Sequence, residues 1–332
     1  MRRELIRRLT TSLRTASRPL STQQRAMSNA SLSVSRAAHN VTPTQRTLRR
    51  AFSSSAELDA NAEFLRGVQH LMGKTENASV HYAVLHWTNA AERGHVKAQS
   101  ALGNLYLKGH PEIARNEELA KQFLQQAADA GHDGSCHEIG KLFFHGSDVT
   151  PKDLARAFDF WSQAAARGHM AASYDLGYMY AHGVHVGQDD ATSLQFFQQA
   201  AAKGMPEAHR ALGNAYLHGR GVDADAAKAV AHFRRAAESG FAPAQFDLGA
   251  CYMLGRGVDK DSAQAAQFFF LAAEAGIPEA QLCLAQLYET GDGIPSDREK
   301  AVQYYQFAAK NGLAPAKAAL QRLGAPLEPP SV

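Results

Sequence analysis

The chain has 332 residues, 45% of them hydrophobic and 20% charged, with a formal net charge of +3 and three cysteines. Charge divides it sharply: residues 1–56 carry eleven Arg, no Lys and one acid, Glu4, so this stretch is +10 and everything after it is −7. An acidic body argues against nucleic-acid binding, which needs a basic stripe on the folded part. Three scattered cysteines (Cys136, Cys251, Cys283) exclude a disulfide framework and point to a reducing compartment, and no apolar run approaches the roughly 18 residues of a membrane span.

The opening MRRELIRRLTTSLRTASRPL wraps into an amphipathic helix with Leu5, Ile6, Leu9, Leu13 and Ala16 on one face and Arg3, Arg7, Arg14 and Arg18 opposite. Seventeen Ser or Thr share residues 1–56 with a single acid, the profile of a mitochondrial transit peptide. Arg49-Arg50-Ala51-Phe52-Ser53 is similar to the site cut by the matrix processing peptidase, placing the mature start between Phe52 and Ala60. No hydrophobic sorting stop follows, so the matrix is favoured over the intermembrane space.

Beyond the leader the chain repeats itself. A glycine closing an Ala-Ala-x-x-Gly segment recurs at Gly94, Gly131, Gly168, Gly204, Gly240, Gly276 and Gly312, at intervals of 37, 37 and then 36 residues. A fixed period of this size marks a stacked array with one elongated core. With each of these glycines as position 0, a bulky residue stands at −7 (Trp87, Leu124, Trp161, Phe197, Phe233, Phe269, Tyr305) and a small one at −11. Downstream, Pro206, Pro243, Pro278 and Pro315 fit the first turn of a helix whose first amides lack partners. That helix carries Ala or Ser at +4, Leu or Ile at +8 and an aromatic at +12, one apolar stripe at helical spacing. Position +9 is Gly103, Gly140, Gly177, Gly213 and Gly249; a mid-helix glycine costs roughly 1 kcal/mol against Ala, so a partner helix must pack on bare backbone there. The chain then turns at Gly109, Gly146, Gly183, Gly219, Gly255 and Gly291, and the next helix opens on a capping residue: Ser79, Asn116, Asp153, Asp189, Asp225, Asp261 or Asp297.

The pattern A-x-x-x-L-G-x-x-Y-x-x-G-x-G-V, ending in F-x-x-A-A-x-x-G, resembles the Sel1-like repeat family, which is related to tetratricopeptide repeats. The resemblance covers about 60–323 and implies an all-α fold, a right-handed superhelix of α/α-hairpins. Units fall at about 62–94, 98–131, 135–168, 172–204, 208–240, 244–276 and 280–312, with a closing helix at 316–323 and a disordered tail at 324–332; the first unit is degenerate, traced through Ala62, Gly67 and Gly73.

Fifteen histidines raise the question of a metal site. His145, His182 and His218 share position +14 and His95, His132 and His169 share +1, but packed helices lie about 8–10 Å apart and ligands must reach within about 2 Å of a metal. Both columns read as solvated polar residues at helix ends. Neither His81/His86 nor His182/His185 has a carboxylate at ligand spacing, and no catalytic triad or phosphate loop is present, so neither cofactor nor enzymatic activity is expected.

Two columns on one face of the first helix do not repeat: +6 (Ser100, His137, Tyr174, Arg210, Phe246, Leu282) and +10 (Asn104, Lys141, Tyr178, Asn214, Ala250, Gln286). Fixed columns build the rod and variable ones face a partner, so His137, Lys141, Tyr174, Tyr178, Arg210, Asn214 and Phe246 are the candidate contacts along the inner curve. The expected function is a non-catalytic mitochondrial adaptor binding other proteins. A leader followed by Sel1-like repeats is also similar to the plan of a mitochondrial stress-signalling relay that self-associates and activates a partner, leaving a homo-oligomer open. A further alternative is a redox or respiratory-complex assembly factor of the Sel1-repeat class; the resemblance implies paired cysteines for such roles and for hydrolytic ones, where this chain has three unpaired.

Overall fold

The computed structural model describes residues 59–74 and 78–327; the leader and residues 328–332 of the tail lie outside the described residues. Among the described residues there are fifteen helices and no strand, only an isolated bridge between His110 and Ile113. They alternate as A and B members of hairpins. The first four pairs are α1 (59–71) with α2 (Val80–Glu92), α3 (Val96–Lys108) with α4 (Glu117–Asp129), α5 (Asp133–His145) with α6 (Leu154–Ala166), and α7 (Met170–His182) with α8 (Asp190–Ala201). Then come α9 (Pro206–His218) with α10 (Ala226–Glu238), α11 (Ala242–Leu254) with α12 (Ser262–Glu274), α13 (Pro278–Thr290) with α14 (Arg298–Lys310), and the unpaired α15 (Ala314–Leu323). Each helix packs chiefly on its neighbours in sequence, most extensively within a hairpin, as a one-dimensional helical solenoid should.

Local chemistry sets the helix boundaries. Every B helix from α2 to α14 opens on the Ser, Asn or Asp that the sequence pattern marks, its side-chain oxygen accepting an amide of the first turn. From α4 onward the cap residue's own N–H donates back to the carbonyl of the +12 residue, as Asp225 does to Tyr216 at 2.8 Å, which ties the hairpin shut. The A helices use two different starts. Where Pro stands in the first turn, the preceding +1 residue is apolar (Met205, Phe241, Ile277, Leu313) and makes no side-chain cap. Where Pro is missing, +1 is His95, His132 or His169, whose Nδ1 accepts the N–H of Ala98, Ser135 or Ala172 at 3.1–3.3 Å. The expectation that this column is merely solvated is therefore corrected: these imidazoles cap helices.

Within a hairpin the −7 side chain lies on the +9 glycine. A Cβ built on Gly140 would stand 2.3 Å from the Trp161 ring, on Gly213 2.5 Å from Phe233, and on Gly249 2.8 Å from Phe269. The same holds for Gly67 against Trp87, at 2.4 Å. Both tryptophans also satisfy their indole N–H on the carbonyl of the +6 residue, Trp87 on Phe64 and Trp161 on His137. Next to this contact the +12 ring stacks on an aromatic or His at −8, in six successive hairpins from Tyr106/Phe123 to Tyr288/Tyr304, with centroids 5.5–6.2 Å apart and planes within 4–11°.

Between repeats, a Gln at +5 (Gln99, Gln245, Gln281) donates its amide to the −3 carbonyl of the preceding B helix at 3.2–3.3 Å. The second glycine of each Gly-x-Gly turn abuts the preceding B helix: a Cβ on Gly257, whose φ is +73°, would lie 2.1 Å from the Ala226 carbonyl oxygen. In the Gly183 turn His185 holds that position with a φ of 69° and rests on Phe158. At the C-terminal end α15 begins two residues earlier than the sequence pattern suggests, with Pro315 in its first turn. The start of the tail is packed down: Ala325 joins the last core cluster and the Pro326 carbonyl accepts from Gln306 at 2.9 Å.

Gly255 and Gly257 separate conformation from contact. Gly255→Ala carries only the left-handed backbone penalty, about 1–2 kcal/mol, because its nearest neighbour would be 3.4 Å away. Gly257→Ala adds a clash with backbone of the preceding repeat, and urea unfolding should show it to be the more destabilising of the two by at least about 1 kcal/mol.

A candidate protein-binding groove

The +6 and +10 positions of consecutive A helices come together on one side of the solenoid and leave recesses between repeats. One, of about 280 Å³, is lined by Tyr174, Tyr178 and His182 of α7, Phe197 of α8, and Arg210 and Asn214 of α9, with Arg220 at its lip. A second, of about 360 Å³, lies two repeats further on between α11 and α13, where Phe246, Ala250, Leu254, Phe269 and Gln286 occupy the corresponding positions and Asp292 stands where Arg220 did. Four of the seven sequence-predicted residues thus share the first recess, and Phe246 lies in the second.

Their environments differ. Tyr174 is half-buried with its ring 5.4 Å from Phe197, and its hydroxyl pKa is raised, first by burial and then by Asp175 and Glu207. Tyr178 is 41% exposed and stacks on His182 at 4.1 Å. Phe246 leans on Phe269 at 5.7 Å, and the Asn214 side chain, within α9, makes no hydrogen bond among the described residues. Arg210 reaches across to the next repeat, its Nε 2.5 Å from Asp247 Oδ2. His137 makes the equivalent link two repeats earlier, Nε2 to Asp175 Oδ2 at 2.8 Å, and is only 8% exposed. Burial draws its pKa down, but Asp175 and Glu138 outweigh that and hold it raised; in return His137 holds the Glu138 carboxyl at about 2. Lys141 pairs with Glu138 at 3.3 Å. His137 and Lys141 are therefore engaged within the protein rather than lining either recess, and the +6 column serves twice, as groove lining and as cross-repeat strut.

Two features escaped the sequence reading. Position +16, in the turn after the A helix, sets the charge at each recess. Position −5 is polar in five B helices (Asn89, Gln126, Gln163, Gln199, Arg235) and then becomes Leu271 and Phe307, both exposed; with Phe270, Leu271 lines an apolar recess of about 510 Å³ on the B-helix side.

The Sel1 repeat family matches the chain at residues 96–132, 134–169, 171–205, 206–241, 242–277 and 278–313. This chain belongs to the Sel1-repeat family. Solved Sel1-repeat structures agree. The chain is 30% identical to c5321, a protective antigen of uropathogenic Escherichia coli strains displaying an SLR fold, over 80% of its own length and 56% of that protein's, with a TM-score of 0.71. It is 31% identical to a Sel1 repeat protein from Oxalobacter formigenes, over 80% of this chain and 76% of that one, with a TM-score of 0.68. The chain thus spans little more than half the length of the E. coli protein. No match is found among curated proteins.

Sel1-repeat solenoids are typically protein-interaction scaffolds. Among the described residues no three His, Cys, Asp or Glu gather to hold a metal, and no helix is long and apolar enough to cross a membrane. All three thiols have raised pKa values, chiefly through burial, with Cys251 and Cys283 pushed up to about 11, the opposite of a reactive cysteine.

One histidine pair stands between the two helices of a single hairpin: His209 Nδ1 lies 3.1 Å from His232 Nδ1, and His232 stacks on Tyr216 in the −8 position that is Phe or Tyr in most other repeats of this chain. Burial, then His209 and Arg235, lower the His232 pKa to about 4; burial and Arg235 lower that of His209. The neutral pair's contribution is therefore fully present above pH 6.5 and is lost as pH falls towards 4. His232→Phe should keep the stack and flatten the fall of Tm over that window; parallel wild-type and variant curves would contradict the assignment.

Proposed function

We propose that this chain is a non-catalytic adaptor of the mitochondrial matrix that holds partner proteins along the groove formed by its +6 and +10 columns. The observation that carries this reading is the recurrence of one recess at equivalent positions of different repeats, with side chains that differ from repeat to repeat while the packing columns stay fixed. A catalytic site would need convergent polar groups in one place; a reader of extended or helical peptides needs a series of distinct pockets along a rigid support. The address rests on the leader, whose Arg-rich, acid-poor sequence and Arg-Ala-Phe-Ser ending have the form of an import signal.

Proximity labelling in intact mitochondria, comparing wild type with Tyr174→Ala/Tyr178→Ala, tests the binding face. The double variant should lose a subset of labelled neighbours while keeping its helical circular dichroism, and an unchanged set of neighbours would reject the groove as the site. Residues 1–60 fused to a fluorescent reporter should carry it into the matrix; cytosolic fluorescence would refute the address.

A further inference from the structure

The two recesses differ in chemistry along one line. In the first, Arg220 is exposed at the lip and makes no side-chain bond among the described residues, while Arg210 spends only its Nε on Asp247 and leaves both Nη groups directed to no described partner. The Asn214 amide and the Tyr174 hydroxyl are likewise unpartnered there, against an apolar floor formed by Phe197. Asp190 is the one carboxylate in the lining, and it already accepts from Gln188. This is a set of hydrogen-bond donors around a small aromatic cup, and its complement is an acceptor-rich anion. The second recess carries no cation: Phe246, Leu254, Phe269 and Leu287 make it apolar, and Asp292 is its only charge. Its complement is a large aliphatic or aromatic side chain, and an acidic one is disfavoured there.

Between the two recesses the Arg210–Asp247 ion pair spans the intervening repeat junction. A ligand that fills both recesses passes over that strut. Packed helices lie about 8–10 Å apart, so two repeats separate the recesses by roughly 20 Å, the reach of about six residues of extended chain at about 3.3 Å each.

Accepting the groove as the binding face, we infer that it reads a two-anchor peptide: an acidic side chain seated between Arg220 and Arg210, and a large apolar side chain about six residues away seated on Phe246 and Phe269. The turn position +16 is then the column that selects charge, Arg220 at the first recess and Asp292 at the second. A Sel1 array built this way recognises a spacing as well as two residue types, because the strut holds the recesses at a fixed distance.

The test is selection of a random peptide library displayed on phage against the full chain, repeated on Arg220→Glu and on Tyr174→Ala/Tyr178→Ala. Arg220 lies in an exposed turn, so its replacement leaves the packing columns intact, and circular dichroism checks this. The wild type should enrich peptides pairing Asp or Glu with Leu, Ile or Phe about six positions apart, and changing the acid to Lys should weaken a selected peptide at least about tenfold. Arg220→Glu should abolish the enrichment of acidic residues, because the new carboxylate faces the acid and competes for Arg210. Enrichment that depends on the tyrosines but shows no acid, or no preferred spacing, would overturn the two-anchor inference and leave the groove standing. Peptides that bind the tyrosine variant as well as the wild type would overturn both, and a selection yielding no binder would overturn the inference.

Discussion

A bulky side chain pressed onto bare backbone is the contact on which the rest of this solenoid depends. Trp161 against Gly140 and Phe233 against Gly213 leave no room for even a methyl group between them, so the A and B helices approach as closely as backbone allows. Interiors are packed at the density of organic crystals, and a contact this tight fixes the rotation of one helix against the other. The small residues at −11 and the Ala pair at −4 and −3 serve the same end, fully or nearly buried in almost every repeat. Because the contact recurs with the period of the sequence, hairpins of one geometry follow one another, and equivalent positions line up along the array.

That alignment is what makes a groove possible. Once the +4, +8, +9 and +12 positions are committed to packing, +6 and +10 are left on the open side, free to vary without loss of core. They are not wholly free: the His137–Asp175 and Arg210–Asp247 links show two +6 side chains also bracing one repeat on the next. The Arg210–Asp247 pair is partly exposed and contributes little to stability, whereas His137 is nearly buried in its link to Asp175. Function and rigidity are thus shared by the same column, and a partner meets a surface already held in shape.

Much of this was legible in the sequence, because the packing is local and periodic. The caps, the turn glycines, the −7 column and the need for a bare backbone at +9 follow from helix geometry alone; what the sequence did not reveal is that −7 and +9 are two sides of a single contact. The capping histidines were misread because imidazole is an uncommon cap. A clue was present: His occupies +1 only where Pro is missing from the first turn, and Met, Phe, Ile or Leu where Pro is present. The −8 ring column passed unnoticed because His86 and His232 interrupt its aromatics, although the stack they make is geometrically the same. The cross-repeat ion pairs join residues 37 or 38 apart, a separation that no helical-spacing argument examines.

The interlock between ring and glycine is measured most directly by a double-mutant cycle at Gly213 and Phe233, followed by equilibrium unfolding in urea. Gly213→Ala should destabilise the wild-type background, since its methyl meets the ring, yet stabilise the Phe233→Ala background by up to about 1 kcal/mol as helix propensity is recovered. A change of sign between the two backgrounds is the predicted result. An equal effect of Gly213→Ala in both would mean that the glycine is not there to receive the ring, and would contradict the account.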